Sequence, residues 1–278
     1  MRPAIASLAS AILLSAVLVA GCGQRAALDA LAPGEGGTVA SAPTGDSLVL
    51  EDGRKVRLAG VDAPSGDEPF AAEAQGVLQS LVVGRKVELL EGGADKDAYG
   101  RTIAQVREPE RGLWVEAELL RLGAARVRTY PDNRAMVPRM LEAEAEARKA
   151  GRGLWALPAY RVLLPEEVGR ERRGFVLVEG WATRLARQGD RALILFGPSG
   201  FAAEIPRSAW DDLTAAGLTP EALKGQLLRV RGNLSQGPDG PRLWIDHPEQ
   251  IERLKPPPQR SAPGEPKSRT PGARAPGV

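Results

Sequence analysis

The sequence has few of the side chains that build the commonest enzyme sites. Its 278 residues include one cysteine, Cys22, and one histidine, His247. One cysteine excludes an intrachain disulfide and a thiolate metal site. One histidine argues against a histidine-metal nuclease site and against a Ser-His-Asp hydrolase. We expect His247 to have a surface or core role.

The sequence also lacks a strong charge of either sign. The formal net charge is +2, so no global attraction to nucleic acid follows from composition. Aromatic residues make up 4 % of the chain, which predicts aliphatic cores, and hydrophobic residues make up 43 %. The length suits about two domains, each with a packed core.

The amino terminus carries an export pattern. An apolar run from Ile5 to Ala20 ends at Gly21-Cys22 and is short for a membrane span of about 20 residues. It resembles a bacterial lipoprotein signal, which implies removal of residues 1–21 and lipidation of Cys22. The alternative is an uncleaved anchor. Either way, we expect an exported chain held at the cell envelope on a bacterial membrane through its amino terminus.

The rest of the chain divides by composition and periodicity. We predict a flexible tether at 22–37, a domain at 38–157, a linker at 158–173, a strand-rich domain at 174–254 and a disordered Pro/Arg-rich tail at 255–278. Helices are predicted at 69–83, 115–122 and 134–149. Because strands and helices do not alternate as βαβ units, we expect a mainly β fold with helices (α+β), a barrel with packed helices. The second domain suits a small OB-like barrel.

The stretch at 56–64 offers a candidate site. Arg57 and Asp62 are five positions apart, so they share a side of the chain only if it bends near Gly60. A hairpin would also bring Asp46 towards Asp62. Carboxylates are natural ligands of a hard cation, and Arg57 with Arg101 could clamp a phosphate. Simple ion pairs among these residues are the alternative.

Three segments in order, at 44–47, 56–64 and 97–101, resemble the thermonuclease (staphylococcal-nuclease-like) family. Segments at 118–125, 142–147 and 151–155 follow in the family's order. The resemblance covers about residues 38–157. It implies a five-stranded OB barrel with three helices and calcium-dependent cleavage of phosphodiester bonds in DNA or RNA.

The resemblance also implies roles for individual residues. It implies that Asp46, Asp62 and the carbonyl of Ala63 bind calcium. It implies that Arg57 and Arg101 bind the phosphate. It also implies that Tyr99 and Tyr130 lie near the nucleotide. The arginines would stabilise charge that develops at phosphorus.

One position departs from the family. Ser65 stands directly after Pro64, where the family has a glutamate that acts as general base or positions water. General-base help is worth typically about 10²–10⁴-fold in rate. Glu68 could substitute, or it could cap the following helix. The chain is therefore expected to be an exported nuclease (a phosphodiesterase), with a catalytically weakened binding or scaffold module as the alternative.

Three further questions stay open in the sequence. A basic run could be a nucleic-acid track or a solvated face; it comprises Arg121, Arg126, Arg128, Arg134 and Arg139. The tryptophans Trp155, Trp181, Trp210 and Trp244 suit core or barrel-end packing better than base stacking. The second domain could bind nucleic acid, bind a protein or brace the first barrel.

Overall fold

The computed structural model describes residues 27–170 and 172–256. The predicted signal, Cys22 and the tail from residue 257 onwards lie outside these residues, so what the sequence predicts for them stays a prediction. Within the described part, no helix has the length and apolar character needed to cross a membrane.

Five strands of the first domain close into a barrel. Their order is β1-β2-β3-β6-β5, and β5 returns to β1. All neighbours are antiparallel except β3 and β6, which run parallel. The strands are β1 (Ala32–Thr44), β2 (Ser47–Leu50), β3 (Lys55–Leu58), β5 (Lys86–Glu91) and β6 (Thr102–Glu108). Closure removes the unpaired edges of an open sheet and encloses an aliphatic core.

Three helices and three short strands complete this domain. The helices are α1 (Ala71–Val82), α2 (Val115–Leu122) and α3 (Val137–Lys149). The predicted helices therefore form, each within a few residues of its predicted start. The short strands are β4 (Val61–Asp62), β7 (Leu113–Trp114) and β8 (Arg126–Val127), and β4 pairs with β8. The prediction of a five-stranded barrel with three helices is confirmed.

The second domain repeats the same strand order. Five strands run in the order β9-β10-β11-β13-β12, and β12 returns to β9. Again only the third and fifth strands of the barrel are parallel. The elements are β9 (Phe175–Gln188), β10 (Arg191–Phe196), β11 (Ala202–Ile205), α4 (Trp210–Ala215), α5 (Pro220–Leu223), β12 (Leu227–Gly237), β13 (Gly240–Trp244) and the added strand β14 (Ile251–Arg253). The OB-like prediction holds for this barrel.

Two predicted boundaries are wrong in part. The tether prediction fails from Ala32 onwards, because β1 begins there and pairs with β5; Leu28, before it, is also buried in the first core. The predicted linker is packed structure as well, since Leu163 and Val168 belong to the second core. In the sequence, the alanines and glycines of β1 are typical of a tether. They form a strand all the same, because β1 pairs through backbone groups that any residue supplies.

A buried carboxyl group lies beneath the first barrel's helices. Glu116 on α2 is fully buried, and its two oxygens accept the N–H of Val106 at 3.0 Å. Desolvation raises the pKa of Glu116 to about 8, against the opposing effects of the Val106 N–H and the charge of Arg57. The folded chain thus binds this proton more tightly than the unfolded chain does.

This burial predicts a pH dependence of stability. The free energy of unfolding should fall as pH rises from the ordinary value of 4.5 towards about 8, by at most about 1.4 kcal/mol per pH unit. Glu116→Gln stays neutral and should remove this part of the slope. Urea unfolding across that range measures it, and equal slopes in variant and wild type would contradict the assignment.

Candidate functional site

The hairpin of β2 and β3 brings Asp46 against the end of β4. The Oδ2 atom of Asp46 accepts the N–H of Ala63 at 3.0 Å and lies 3.0 Å from Nη2 of Arg57. Gly45 makes this approach possible, because a Cβ there would lie 2.7 Å from Cβ of Ala63 and 2.9 Å from Cβ of Ala74. Asp46, Arg57 and Ala63 are therefore brought together, although Ala63 contacts Asp46 through its N–H and not through the carbonyl expected from the sequence.

The predicted bend occurs at Gly60. Its φ is +73°, a conformation that favours glycine, and a Cβ there would lie 2.8 Å from Sδ of Met140. The bend ends β3 at Leu58 and starts β4 at Val61. As a result, Asp62 faces β8 across the two-stranded pairing of β4.

Two arginines form hydrogen-bonded ion pairs with the Asp62 carboxylate. Arg126 donates from Nη2 to Oδ2 at 2.9 Å, and Arg128 donates from Nη1 to Oδ1 at 3.0 Å. Sequence reasoning placed both in the basic run but missed their part in the site. The signal was their spacing, since residues two apart on an extended segment share a face.

The basic run does not form one continuous track. Arg134 pairs with Asp212 and Glu249, and Arg139 pairs with Glu142. Of the run, Arg126 and Arg128 therefore belong to the site, while Arg134 and Arg139 form ion pairs elsewhere.

The tryptophans differ in their exposure to solvent. Trp155 is buried, whereas Trp181 and Trp244 are 48 % and 38 % exposed.

A tight loop presents Arg101 and Tyr99. Asp97 accepts the backbone N–H of Tyr99 at 2.9 Å, the backbone N–H of Arg101 at 3.0 Å and Nε of Arg101 at 2.6 Å. Burial alone would raise the pKa of Asp97, but these donors and the Arg101 charge lower it. The charged Asp97 fixes the guanidinium, and the Tyr99 ring lies 5.6 Å from it and is 87 % exposed.

These elements surround one cleft of about 550 Å³. Its walls include the three arginines Arg57, Arg101 and Arg128 and the two tyrosines Tyr99 and Tyr130. Tyr130 is 53 % exposed, and its ring lies 5.8 Å from the Arg128 guanidinium. Guanidinium groups suit phosphate oxygens, and exposed tyrosine rings suit stacked bases. The cleft therefore has the chemistry to bind a nucleic-acid strand.

The carboxylates do not fit a resident calcium ion as they are arranged. Calcium takes six to eight oxygen ligands, yet both oxygens of Asp62 accept from arginines. Asp46 accepts from Thr44 at Oδ1 and from Ala63 at Oδ2. Across 27–170 and 172–256, no group of three or more His, Cys, Asp or Glu side chains could hold a metal ion.

The position after Pro64 is an exposed turn. Ser65 donates its backbone N–H to Oε2 of Glu68 at 2.9 Å, and the N–H of Glu68 returns to the Ser65 carbonyl at 3.1 Å. Glu68 thus caps its own turn, and its carbonyl accepts the N–H of Ala71 at the start of α1. This contact occupies one carboxylate oxygen and leaves Glu68 exposed on the surface.

The second barrel holds the segment that carries Arg126 and Arg128. The Phe175 ring lies 5.1 Å from the Arg126 guanidinium and 5.5 Å from that of Arg128. The Phe175 carbonyl also accepts Nη1 of Arg126 at 3.2 Å. The side chain of Thr129 shares a hydrogen bond of 2.6 Å with buried His247. His247 therefore has a core role at the contact of the two barrels, as expected.

A buried ion pair joins the barrels behind the same segment. Arg231 of β12 donates to both oxygens of Glu144 on α3, at 3.0 and 2.8 Å, and to the Val127 carbonyl at 3.1 Å. Burial would raise the pKa of Glu144, but Arg231 and Arg148 lower it. Removing one partner of a buried pair costs about 3–5 kcal/mol. Of the three roles considered for the second domain, these contacts support bracing.

The family model described as "Staphylococcal nuclease homologue" matches residues 55–157. An "Uncharacterized endonuclease" of Escherichia coli O157:H7 is 32 % identical over 123 residues, which are 43 % of this chain and 76 % of that protein. The chain belongs to the staphylococcal nuclease family. The family match and the endonuclease relative support nuclease activity in general terms.

Two further relatives match over a similar length of chain. The "Thermonuclease" of Staphylococcus hyicus is 29 % identical over 126 residues, which are 40 % of this chain and 70 % of that protein. The "Probable staphylococcal-like nuclease CAN1" of Oryza sativa subsp. japonica is 32 % identical over 125 residues. That match spans 45 % of this chain and 35 % of the rice protein, so the likeness covers less than half of each.

Proposed function

We propose that this staphylococcal nuclease family member binds nucleic acid by its phosphates and hydrolyses phosphodiester bonds outside the cytoplasm. The observation that carries the proposal is the convergence of Arg57, Arg101 and two exposed tyrosines in one cleft. The arginines would bind a phosphate and stabilise the negative charge that develops as water attacks. DNA and RNA both present the groups that this cleft would contact.

Calcium dependence is predicted together with nuclease activity. The arrangement of Asp46 and Asp62 supports calcium binding less than the cleft supports phosphate binding. Binding of a calcium ion by Asp46, Asp62 and the Ala63 carbonyl requires the arginines to leave Asp62. The proposed hydrolysis therefore includes no step that depends on the ion. Cleavage assays in calcium and in excess EDTA distinguish hydrolysis that depends on calcium from hydrolysis that does not.

A binding or scaffold module is the second candidate. The observation in its favour is the pair Ser65 and Glu68, because the serine cannot accept a proton at neutral pH and the glutamate caps its turn. Loss of a general base slows an enzyme by about 10²–10⁴-fold and leaves phosphate binding intact. Binding of an oligonucleotide without cleavage under any metal condition would support this candidate over the nuclease.

Restoring the family glutamate tests the catalytic proposal. Ser65→Glu should raise the rate of oligonucleotide cleavage by about 10²-fold, because it supplies a base beside the phosphate site. Ser65→Gln is the matched control, since it has the same shape without a basic carboxylate. Rates are measured with labelled single-stranded and duplex DNA and with RNA. Equal rates in the two variants would count against this site as the place of hydrolysis.

The anchor at Cys22 is part of the same proposal. We propose that lipidated Cys22 holds the protein on a bacterial membrane at the cell envelope. Cys22→Ser should move the protein from the membrane fraction to the soluble fraction, because no acyl chain can then attach. Immunoblots of fractionated cells measure this change, and full membrane retention of the variant would instead indicate an uncleaved anchor.

A further inference from the structure

The negative charge of Asp62 is more than offset by two arginines of the chain itself. A carboxylate next to a phosphate site repels the phosphate, and a divalent cation commonly bridges the two. Here Asp62 is 15 % exposed, and Arg126 and Arg128 each bind one of its oxygens. Two guanidinium groups on one carboxylate leave a local charge of one positive unit.

Arg128 lines the cleft and retains guanidinium donors beyond the one that Asp62 accepts. Its bond to Asp62 uses one of the five N–H donors of a guanidinium. The side chain is 28 % exposed and lines the cleft beside Arg57 and Arg101. Burial would lower the pKa of Arg128, but Asp62 raises it through its charge and its hydrogen bond. Arg128 can therefore bind Asp62 and a phosphate at the same time.

The charged residues of the cleft wall are mostly cationic. Four cations line it, Arg57, Lys96, Arg101 and Arg128, against the two carboxylates Asp97 and Asp132. Asp97 is bound to Arg101 at 2.6 Å. When Asp46, which pairs with Arg57 at 3.0 Å, is counted with them, the cations still exceed the carboxylates by one. The wall thus offers a positive field to a phosphate without an added ion.

The two arginines are held in place from behind. Arg126 is 8 % exposed and lies between the rings of Tyr160 and Phe175, each 5.1 Å from its guanidinium. Phe175 also covers Arg128 at 5.5 Å. Displacement of the arginines by a metal ion would break these contacts with the second barrel. Their position is therefore a property of the fold.

We infer that Arg128, supported by Arg126, takes the place of a divalent cation beside Asp62, so that the cleft binds the phosphates of a nucleic-acid strand without metal. The choice of a nucleic-acid strand as ligand rests on the proposed function. Arg128 acts as a third phosphate-binding arginine with Arg57 and Arg101.

The test is oligonucleotide binding by the full chain in detergent. Fluorescence anisotropy of a labelled single-stranded DNA of about 12 nucleotides, within the usual span of an OB barrel, is measured in excess EDTA and in excess calcium chloride. The dissociation constants should agree within about threefold. Binding that disappears in EDTA and returns with calcium would overturn the inference, and so would no binding in either buffer.

A variant pair tests Arg128 itself. Arg128→Gln should weaken binding in EDTA by about tenfold or more, and Arg128→Lys should recover part of the loss because the charge returns. Arg139→Gln is the matched control, since Arg139 pairs with Glu142 on α3 and does not line the cleft. Equal affinities for the Arg128→Gln and Arg139→Gln variants would overturn the role of Arg128. If Arg128→Gln does not fold, the comparison of wild-type binding in the two buffers still decides whether the cleft binds nucleic acid without metal.

The outcomes separate this inference from the proposed function. Binding in EDTA without cleavage in any buffer would refute hydrolysis and leave the metal-free phosphate site standing. Cleavage that needs calcium, with no binding in EDTA, would refute the metal-free site and leave the nuclease standing.

Discussion

The contact of Asp62 with Arg126 and Arg128 is the interaction on which the candidate site depends. It links β4, the end of the bent stretch, to β8, the segment that the second barrel holds. Asp62 is thereby paired with Arg128, which lines a cleft whose charged walls are mainly cationic. Because an unpaired buried charge is costly, neither the carboxylate nor Arg126 can leave this contact cheaply.

The two barrels are joined behind the segment that carries Arg126 and Arg128. Arg231 and Glu144 pair in the interior between them, where they also bind the carbonyl and the N–H of Val127. His247 and Phe175 hold the flanking residues of the same segment. The family match ends at residue 157, yet the positions of Arg126 and Arg128 are set by residues beyond it. The second barrel is thus part of the site's framework.

Much of the fold could be predicted from periodicity and turn chemistry. The bend at Gly60 followed from a glycine inside a strand pattern, and the helices followed from apolar spacing. The tether at 22–37 was wrong in part, because β1 pairs through its backbone and carries almost no apolar pattern. The contact of Asp62 with Arg128 joins residues 66 positions apart. The spacing of Arg126 and Arg128 places both on one face, but no local pattern identifies Asp62 as their partner, so only the fold could reveal the pair.

The most direct measurement of the central claim is a calorimetric titration of the metal-free protein with calcium chloride, without nucleic acid. If the arginines occupy Asp62, no saturable heat should appear up to about 1 mM calcium, the weak end of calcium sites in extracellular modules. Stoichiometric binding below that concentration, lost in Asp62→Asn, would show that the carboxylate is available to a metal. That result would contradict the account.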